Sequence, residues 1–233
     1  MARVVFLCLI TLLSSNLALA SPVVIDSFNS YNNGPIVGQG GWESYVGDGF
    51  QVQGSITFEG SGALYCNSIG DNVIGRQGSL LMDGRQVVWV RTENRSGWNV
   101  VTTDDGNAQL RITNGLWGAG IFMTFTRDGY VTYFDPVLYS LEKFAQYNDN
   151  EWTMVETEWR SSDATARYRV NNDAWTDWKP LWSIGSFTGL NYLNFAFDFR
   201  NGGTGGVYFD NAVPEPTTIG LLTIGLIAIL RRK

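Results

Sequence analysis

The fold class is decided by the stretch NFAFDFR, which occupies residues 194–200. Successive side chains of a β-strand point to opposite faces of the sheet, so the three phenylalanines share one face while Asn, Ala, Asp and Arg share the other. We therefore expect one face to pack against a core and the other to meet solvent or a shallow concavity. Such a strand is typical of each sheet in a two-sheet sandwich.

The rest of the chain has the same character. Short runs rich in β-branched and aromatic residues alternate with clusters of Gly, Asn and Asp, and helical periodicity is hard to find. Only residues 139–147 could form a short helix. The sequence predicts an all-β antiparallel fold with strands over residues 23–28, 49–53, 63–67, 86–92, 98–103, 109–113, 120–126, 130–134, 152–160, 166–171, 192–200 and 207–210.

Three stretches carry a family resemblance. IDSFNSY at 25–31, continuing through GQGGW at 38–42, and VYFDN at 207–211 resemble the first and last strands of jelly-roll domains in the laminin-G and concanavalin-like lectin and glucanase group, and ARYRVNN at 166–172 resembles that group's strand leading into a hairpin. The resemblance implies a two-sheet antiparallel jelly-roll β-sandwich over residues 21–212.

The N-terminus predicts export. Arg3 forms a short positive region, an apolar run covers residues 4–13, and Ala18 and Ala20 form a small-residue cleavage site. These are the three parts of a secretory signal peptide, which we expect to occupy residues 1–20 and to leave Ser21 as the first mature residue.

The C-terminus has a second apolar segment. Pro214, Glu215 and Pro216 precede 14 uncharged residues, 217–230, and the cluster Arg231, Arg232 and Lys233 follows. A helix of 14 residues is about 21 Å long against a hydrocarbon core of about 30 Å, so it spans a bilayer only marginally. The terminal cations would hold that end on the cytoplasmic side, with the body outside. A plain C-terminal membrane anchor is the alternative.

These parts, in this order, resemble the PEP-CTERM sorting signal. In Gram-negative bacteria that make extracellular polysaccharide, exosortase, a membrane protease-transpeptidase, recognises that signal. The resemblance implies a transmembrane sorting helix within residues 213–233, transient residence in the inner membrane, removal of the tail, and delivery to the cell surface or the surrounding matrix.

Composition narrows the functions of the body. Four of the 16 basic residues and one of the 22 acidic ones, Glu215, belong to the terminal segments, which leaves 12 basic against 21 acidic residues and a body charge of about −9. Nucleic acid is therefore a poor partner. The chain has no histidine, which excludes Ser-His-Asp and Cys-His catalysis and His-rich zinc sites. Cys66 is the only cysteine after signal removal, so we expect a buried thiol and no internal disulfide.

Tryptophan is the outstanding feature, with nine in the body. Trp175, Trp178 and Trp182 cluster in DAWTDWKPLWSIG, which predicts a loop or a strand edge. Flat rings on an acidic surface suit stacking on sugars, while Asp173, Asp177 and Lys179 would bond hydroxyl groups. The alternative is that these rings fill the core.

A pair of carboxylates invites an enzyme hypothesis. Glu156 and Glu158 would project from one strand face about 7 Å apart, within the range of glycosidase pairs. Glucanases of the resembled group carry a third acid in this strand, whereas Met154 and Arg160 flank the pair here. We therefore favour a solvated face on which Arg160 is the ion-pair partner.

A structural Ca²⁺ is the one cofactor considered. Jelly rolls of the resembled kind often hold this ion between their first and last strands, where Asp26 and Asp210 are predicted to lie. The sequence thus predicts an exported, non-enzymatic protein with a glycan-binding or structural role in extracellular polysaccharide or biofilm. A glycoside hydrolase or polysaccharide lyase is the alternative, and a protein-binding adhesin is a third class.

Overall fold

The structure is a computed structural model that describes residues 22–98, 108–116, 118–182, 187–199 and 204–213. Within these ranges the chain forms strands and one 3₁₀-helix, Arg95–Gly97, with no α-helix. None of the helical turns in these ranges is long and apolar enough to cross a membrane. The predicted signal peptide and sorting helix lie outside the described residues.

Fifteen strands are described, numbered here in chain order. They are β1 (Gly34–Pro35), β2 (Trp42–Val46), β3 (Gln51–Gln53), β4 (Ala63–Cys66), β5 (Gly70–Leu81), β6 (Gly84–Glu93), β7 (Ala108–Thr113), β8 (Gly120–Phe125), β9 (Tyr130–Asp135), β10 (Ser140–Gln146), β11 (Trp152–Arg160), β12 (Thr165–Val170), β13 (Lys179–Pro180), β14 (Leu190–Phe199) and β15 (Gly206–Val213).

The described strands form two antiparallel sheets. The eight-stranded sheet has the order β1-β3-β4-β15-β6-β11-β12-β13, and the seven-stranded sheet has the order β10-β9-β8-β7-β14-β5-β2. The sheets pack face to face and enclose one hydrophobic core. This arrangement confirms the predicted all-β, two-sheet jelly-roll sandwich.

The core contains the inward-facing residues of both sheets. The eight-stranded sheet contributes Val52, Leu64, Val88, Val155, Tyr168 and Phe209, and the seven-stranded sheet contributes Ile74, Leu110, Met123, Val131, Phe195 and Phe197. Residues at alternate positions of the same strands therefore lie on the two outer faces of the sandwich.

The stretch that decides the fold class lies in β14. Phe195 and Phe197 have no exposed surface, as the period of two predicts. Asn194 is also fully buried, however, so this part of the outer face does not meet solvent. Leu116 covers it: a Cβ on Gly75, the residue opposite Asn194, would lie 2.4 Å from Leu116 Cδ1 and 2.3 Å from Asn194 Oδ1. A larger residue at position 75 would require Leu116 or Asn194 to shift.

Three predictions of secondary structure need correction: one helix, one strand and one strand that was not predicted. Residues 139–147 do not form a helix, because Tyr139 has a φ of 54° and reverses the chain into β10, which pairs with β9. Residues 23–28 make only one bridge, between Asp26 and Ala212, since a φ of 57° at Phe28 turns the chain away. The 12-residue strand β5 was not predicted, because Gly, Arg, Gln and Ser interrupt its apolar alternation. Most of the predicted strand 98–103 lies outside the described residues.

Candidate functional site

The predicted tryptophan cluster is divided between the two sheets. The Thr176 backbone N–H donates to the Tyr168 carbonyl at 2.9 Å, so this part of the chain runs beside β12 in the eight-stranded sheet. Six residues later, Trp182 forms an antiparallel bridge with the first residue of β8 in the seven-stranded sheet. Trp175 and Trp178 therefore lie on one sheet and Trp182 on the other.

Trp175 and Trp178 pack on arginines from the outer face of the eight-stranded sheet. The guanidinium carbons of Arg85, Arg167 and Arg169 lie 5.8, 4.7 and 4.6 Å from the centre of the Trp175 ring. Those of Arg160 and Arg167 lie 4.1 and 4.8 Å from the centre of the Trp178 ring. We call these six residues the arginine–tryptophan layer. Asp177, between the two rings in sequence, is exposed. The rings thus make cation–π contacts within the protein itself.

The carboxylate pair of β11 lies beneath this layer. Glu156 has no exposed surface, and it accepts hydrogen bonds from Arg85 and from Arg169, which is its cross-strand partner. Glu158 is half-buried and accepts from Arg167 Nε at 2.8 Å.

The expected partnership with Arg160 is not formed. Arg160 instead donates to Asp163, with Nε at 2.8 Å and Nη2 at 2.6 Å. Antiparallel pairing explains the difference: Arg167 and Arg169 stand directly opposite Glu158 and Glu156 on β12, so they reach the carboxylates first. The face around Glu156 is consequently sealed and not solvated.

Trp182 lies in a pocket on the outer face of the seven-stranded sheet. The pocket has a volume of about 220 Å³ and is lined by Gln109, Arg111, Phe122, Thr124, Phe134, Tyr139, Leu141 and Trp182. The Trp182 ring centroid is 5.1 Å from that of Phe122 and 6.0 Å from that of Phe134, and the Tyr139 ring stands edge-on to Phe134 at 5.4 Å. Aromatic residues therefore form half of the lining residues.

Polar side chains complete the pocket. Arg111 donates through Nε to Gln109 Oε1 at 2.7 Å, and its guanidinium lies 4.8 Å from the centre of the Phe122 ring. Thr124, two residues along β8, lies on the same outer face as Phe122. The pocket thus combines an apolar wall with a few hydrogen-bonding groups, which is the usual composition of a small-molecule site.

Most pocket residues were not found from the sequence. Phe122 stands between the buried core residues Ile121 and Met123, so it must point outward from β8. The signal available in the sequence was a phenylalanine on a predicted strand at a position expected to face outward. Its proximity to Trp182 depends on a contact between residues 60 positions apart in the chain, which local patterns do not reveal.

The two predicted calcium ligands belong to separate networks. Asp26 accepts from the Phe28 N–H at 2.8 Å, the Tyr31 hydroxyl at 2.6 Å, Trp42 Nε1 at 2.8 Å and Arg76 Nη1 at 2.5 Å. An arginine thus already supplies the positive charge beside this carboxylate.

Asp210 points to the other side of its sheet. Its side chain accepts from the Phe58 N–H at 2.8 Å, the Glu59 N–H at 3.3 Å and the Asn211 N–H at 2.7 Å. Burial raises the pKa of Asp210 to about 6, against the opposing effect of these bonds. No cluster of three metal-binding side chains occurs among the described residues. The donor set does not fit a Ca²⁺ shared by Asp26 and Asp210.

Comparison with known proteins identifies the tail. Residues 212–233 match the family model of the PEP-CTERM protein-sorting motif. This match confirms the resemblance seen in Pro214, Glu215, Pro216 and the terminal basic cluster. The chain is an exported protein with a membrane-anchored C-terminal sorting signal of the kind that exosortase processes. No curated protein matches the chain significantly.

Solved structures resemble the body in fold. A sialidase is 14% identical with a TM-score of 0.61, and the match covers 86% of this chain and 19% of the sialidase. A carbohydrate esterase from the Shiga toxin-encoding bacteriophage phi24B is 12% identical with a TM-score of 0.51, over 80% of this chain and 96% of the esterase. The carbohydrate binding module CBM66 from Bacillus subtilis is 13% identical with a TM-score of 0.40, over 73% and 92%. At these identities the first two show a shared fold only.

Proposed function

We propose that the exported body binds a polysaccharide of the cell surface or surrounding matrix in the pocket around Trp182. The observation that carries this proposal is the meeting of three aromatic rings, Trp182, Phe122 and Phe134, with the polar groups of Gln109 and Arg111 in one open cavity.

The two parts of the lining would have different roles. The C–H faces of a sugar are apolar and stack on aromatic rings, and Trp182 and Tyr139 offer rings at the pocket wall. Sugar hydroxyl groups need donors and acceptors, which Arg111, Gln109 and Thr124 supply. Stacking would give most of the affinity, and the polar groups would select the sugar.

Binding without catalysis is the better-supported form of the proposal. Glycoside hydrolysis needs two carboxyl groups that reach the scissile bond. Glu156 has no exposed surface, and Arg85 and Arg169 occupy its oxygens. A hydrolase or lyase acting through Glu156 and Glu158 would first have to displace Trp175 and Trp178. We therefore assign the arginine–tryptophan layer a structural role.

The sorting signal supports an extracellular setting. Exosortase processing would release the body on the outer side of the inner membrane, and the resemblance implies a bacterium that makes extracellular polysaccharide. The body's negative charge of about −9 favours uncharged glycans over polyanions, because like charges repel.

Affinity electrophoresis through gels containing the host's own polysaccharides tests this function. Trp182→Ala should lose retardation, while Trp178→Ala, which removes the same ring outside the pocket, should keep it. Both variants should first be shown to unfold cooperatively. Failure of the wild-type protein to be retarded by any host polysaccharide, or equal retardation of Trp182→Ala, would overturn the proposal.

A further inference from the structure

Large apolar side chains are exposed at two turns of the sandwich. The β9–β10 turn presents Val137, Leu138 and Tyr139, which are 76%, 64% and 77% exposed. At the β5–β6 turn, Leu80 and Met82 are 63% and 45% exposed. Together these five residues are called the apolar end residues. Contiguous exposed apolar patches mark sites of contact with proteins or membranes, whereas apolar residues exposed singly are common.

The strand register places both turns at the same end of the molecule. Tyr192 of β14 stands opposite Gln77 of β5 and opposite Thr113, the last residue of β7. Thr113 in turn stands opposite Gly120, the first residue of β8. Because β8 and β9 are antiparallel, the end of β9 lies beside the start of β8. The end of β5 and the end of β9 therefore share one end of the sheet.

The C-terminal segment leaves from this end too. Val213, the last residue of β15, is paired with Val87 near the start of β6. The strand β6 begins at Gly84, directly after the β5–β6 turn. The chain therefore passes into the sorting motif close to the apolar end residues.

The connection to the membrane segment is short. Only three residues, Pro214, Glu215 and Pro216, separate β15 from the apolar run that begins at Thr217. The four Cα–Cα steps from Val213 to Thr217 span about 14 Å at most, at about 3.6 Å each. Whenever the run is inserted in a bilayer, the end of the sandwich that carries Val213 must lie within about that distance of it.

We infer that the apolar end residues contact the lipid bilayer surface while the sorting signal anchors the chain. Tyrosine and aliphatic side chains partition favourably into the membrane interface, and the tether gives them a high effective concentration there. The contact is apolar and not electrostatic, since the body is strongly acidic. It therefore does not require anionic lipids.

The backbone of the β9–β10 turn suits this position. Asp135 Oδ1 accepts hydrogen bonds from the backbone N–H of Val137 at 2.8 Å and of Leu138 at 3.0 Å. Backbone donors that enter an apolar environment must be paired within the protein, because lipid offers no partner. The turn thus presents its side chains outward while two of its N–H groups remain satisfied.

Spin labelling of the full chain in phosphatidylcholine vesicles tests the inference. Nitroxides would be attached at Leu138→Cys and, as a matched control, at Ile69→Cys, an exposed apolar position beside Gly70 at the opposite end of β5. A Cys8→Ser substitution removes the cysteine of the signal region, which leaves Cys66 as the natural thiol in the chain. Burial raises the pKa of Cys66 to about 12, so this thiol should not be labelled in the folded protein.

The readout is collision with a water-soluble nickel chelate and with oxygen, which concentrates in lipid. We expect the label at 138 to show several-fold less nickel broadening than the label at 69, together with greater oxygen broadening. Equal nickel access at both sites would overturn the inference. Protection at 138 that arises only when exosortase is added would also overturn it, since it would indicate a protein contact in place of lipid. Tyr139 belongs to both the pocket and the apolar end residues, but the test does not depend on polysaccharide binding, because Leu138 does not line the pocket.

Discussion

Glu156 and Arg169 stand directly opposite each other on β11 and β12, and the carboxylate of this ion pair has no exposed surface. Arg85 on β6 binds the second carboxylate oxygen, so three strands of the eight-stranded sheet meet at one buried charge. Trp175 lies over both arginines, which remain only partly exposed. A pair of acids that would suggest catalysis in the sequence is thus the centre of a stabilising network.

Replacement of Glu156 should therefore destabilise the fold. Glu156→Gln leaves two partly buried guanidinium groups without their counter-charge, and breaking such a buried pair costs about 3–5 kcal/mol of unfolding free energy. Glu158→Gln, at a half-exposed site with one arginine partner, should cost about 1 kcal/mol. Urea denaturation measures both. Equal small losses, combined with lost sugar release from a polysaccharide panel, would favour the hydrolase alternative instead.

Trp175→Ala should weaken stability and leave glycan binding intact. Three guanidinium groups lie within 5.8 Å of this ring, and cation–π contacts contribute about 0.5–1 kcal/mol each, so the loss should be about 2 kcal/mol. Thermal unfolding and affinity electrophoresis on the same samples give the two values. A folded Trp175→Ala variant that loses retardation would place the glycan site on the arginine–tryptophan layer.

Tyr139→Ala should reduce polysaccharide affinity about tenfold at little cost in stability. The ring is 77% exposed, so few core contacts are lost, but it forms part of the pocket wall. A stacking contact with a sugar is worth about 1 kcal/mol or more. Leu138→Ala is the control, because it is similarly exposed and does not line the pocket. Isothermal titration with oligosaccharides would reveal whether the two variants differ.

Asp210 should make stability depend on pH. Its pKa of about 6 exceeds the ordinary value of 3.8, so the folded protein binds this proton more tightly than the unfolded chain does. Stability should consequently fall as pH rises from about 4 to about 6, by up to about 3 kcal/mol at 1.36 kcal/mol per unit. Asp210→Asn cannot titrate and should lack this component. Parallel stability curves for the two proteins between pH 4 and 7 would contradict the argument.

Chelation should not alter the stability of the body. Asp26 is already neutralised by Arg76 and accepts three further hydrogen bonds, so no vacant charge awaits Ca²⁺. Differential scanning calorimetry with EDTA and with excess Ca²⁺ should give the same Tm. Asp26→Ala should lower unfolding free energy by about 3–5 kcal/mol, because it strands a partly buried arginine. A Ca²⁺-dependent rise in Tm would show that a site exists after all.

Sequence patterns were most successful where a local period decides the structure. The alternation in 194–200 predicted an inward-facing Phe195 and Phe197, and the strand 152–160 was predicted with its observed bounds. The strand β5 escaped prediction, because pairing with β14 and β2 holds it and its own residues do not alternate. Burial of Asn194 depended on Leu116, a loop residue 78 positions earlier in the chain.

The candidate site shows the same division. The composition pointed to tryptophan as a functional residue, yet Trp175 and Trp178 pack on arginines, while Trp182 lines the pocket described above. The sequence predicts Arg160 as the ion-pair partner of Glu156 and Glu158. This prediction is wrong, because the cross-strand register places Arg169 and Arg167 opposite the two carboxylates.

By itself the sequence determined the fold class, the export and sorting route, and the absence of histidine chemistry, because periodicity, terminal signals and composition are local or additive properties of a chain. Only the tertiary structure decided which rings line a cavity, which charges are sealed and which turns share an end with the C-terminal tail. These depend on register between strands far apart in the chain, where a shift of one residue would move every side chain to the opposite face.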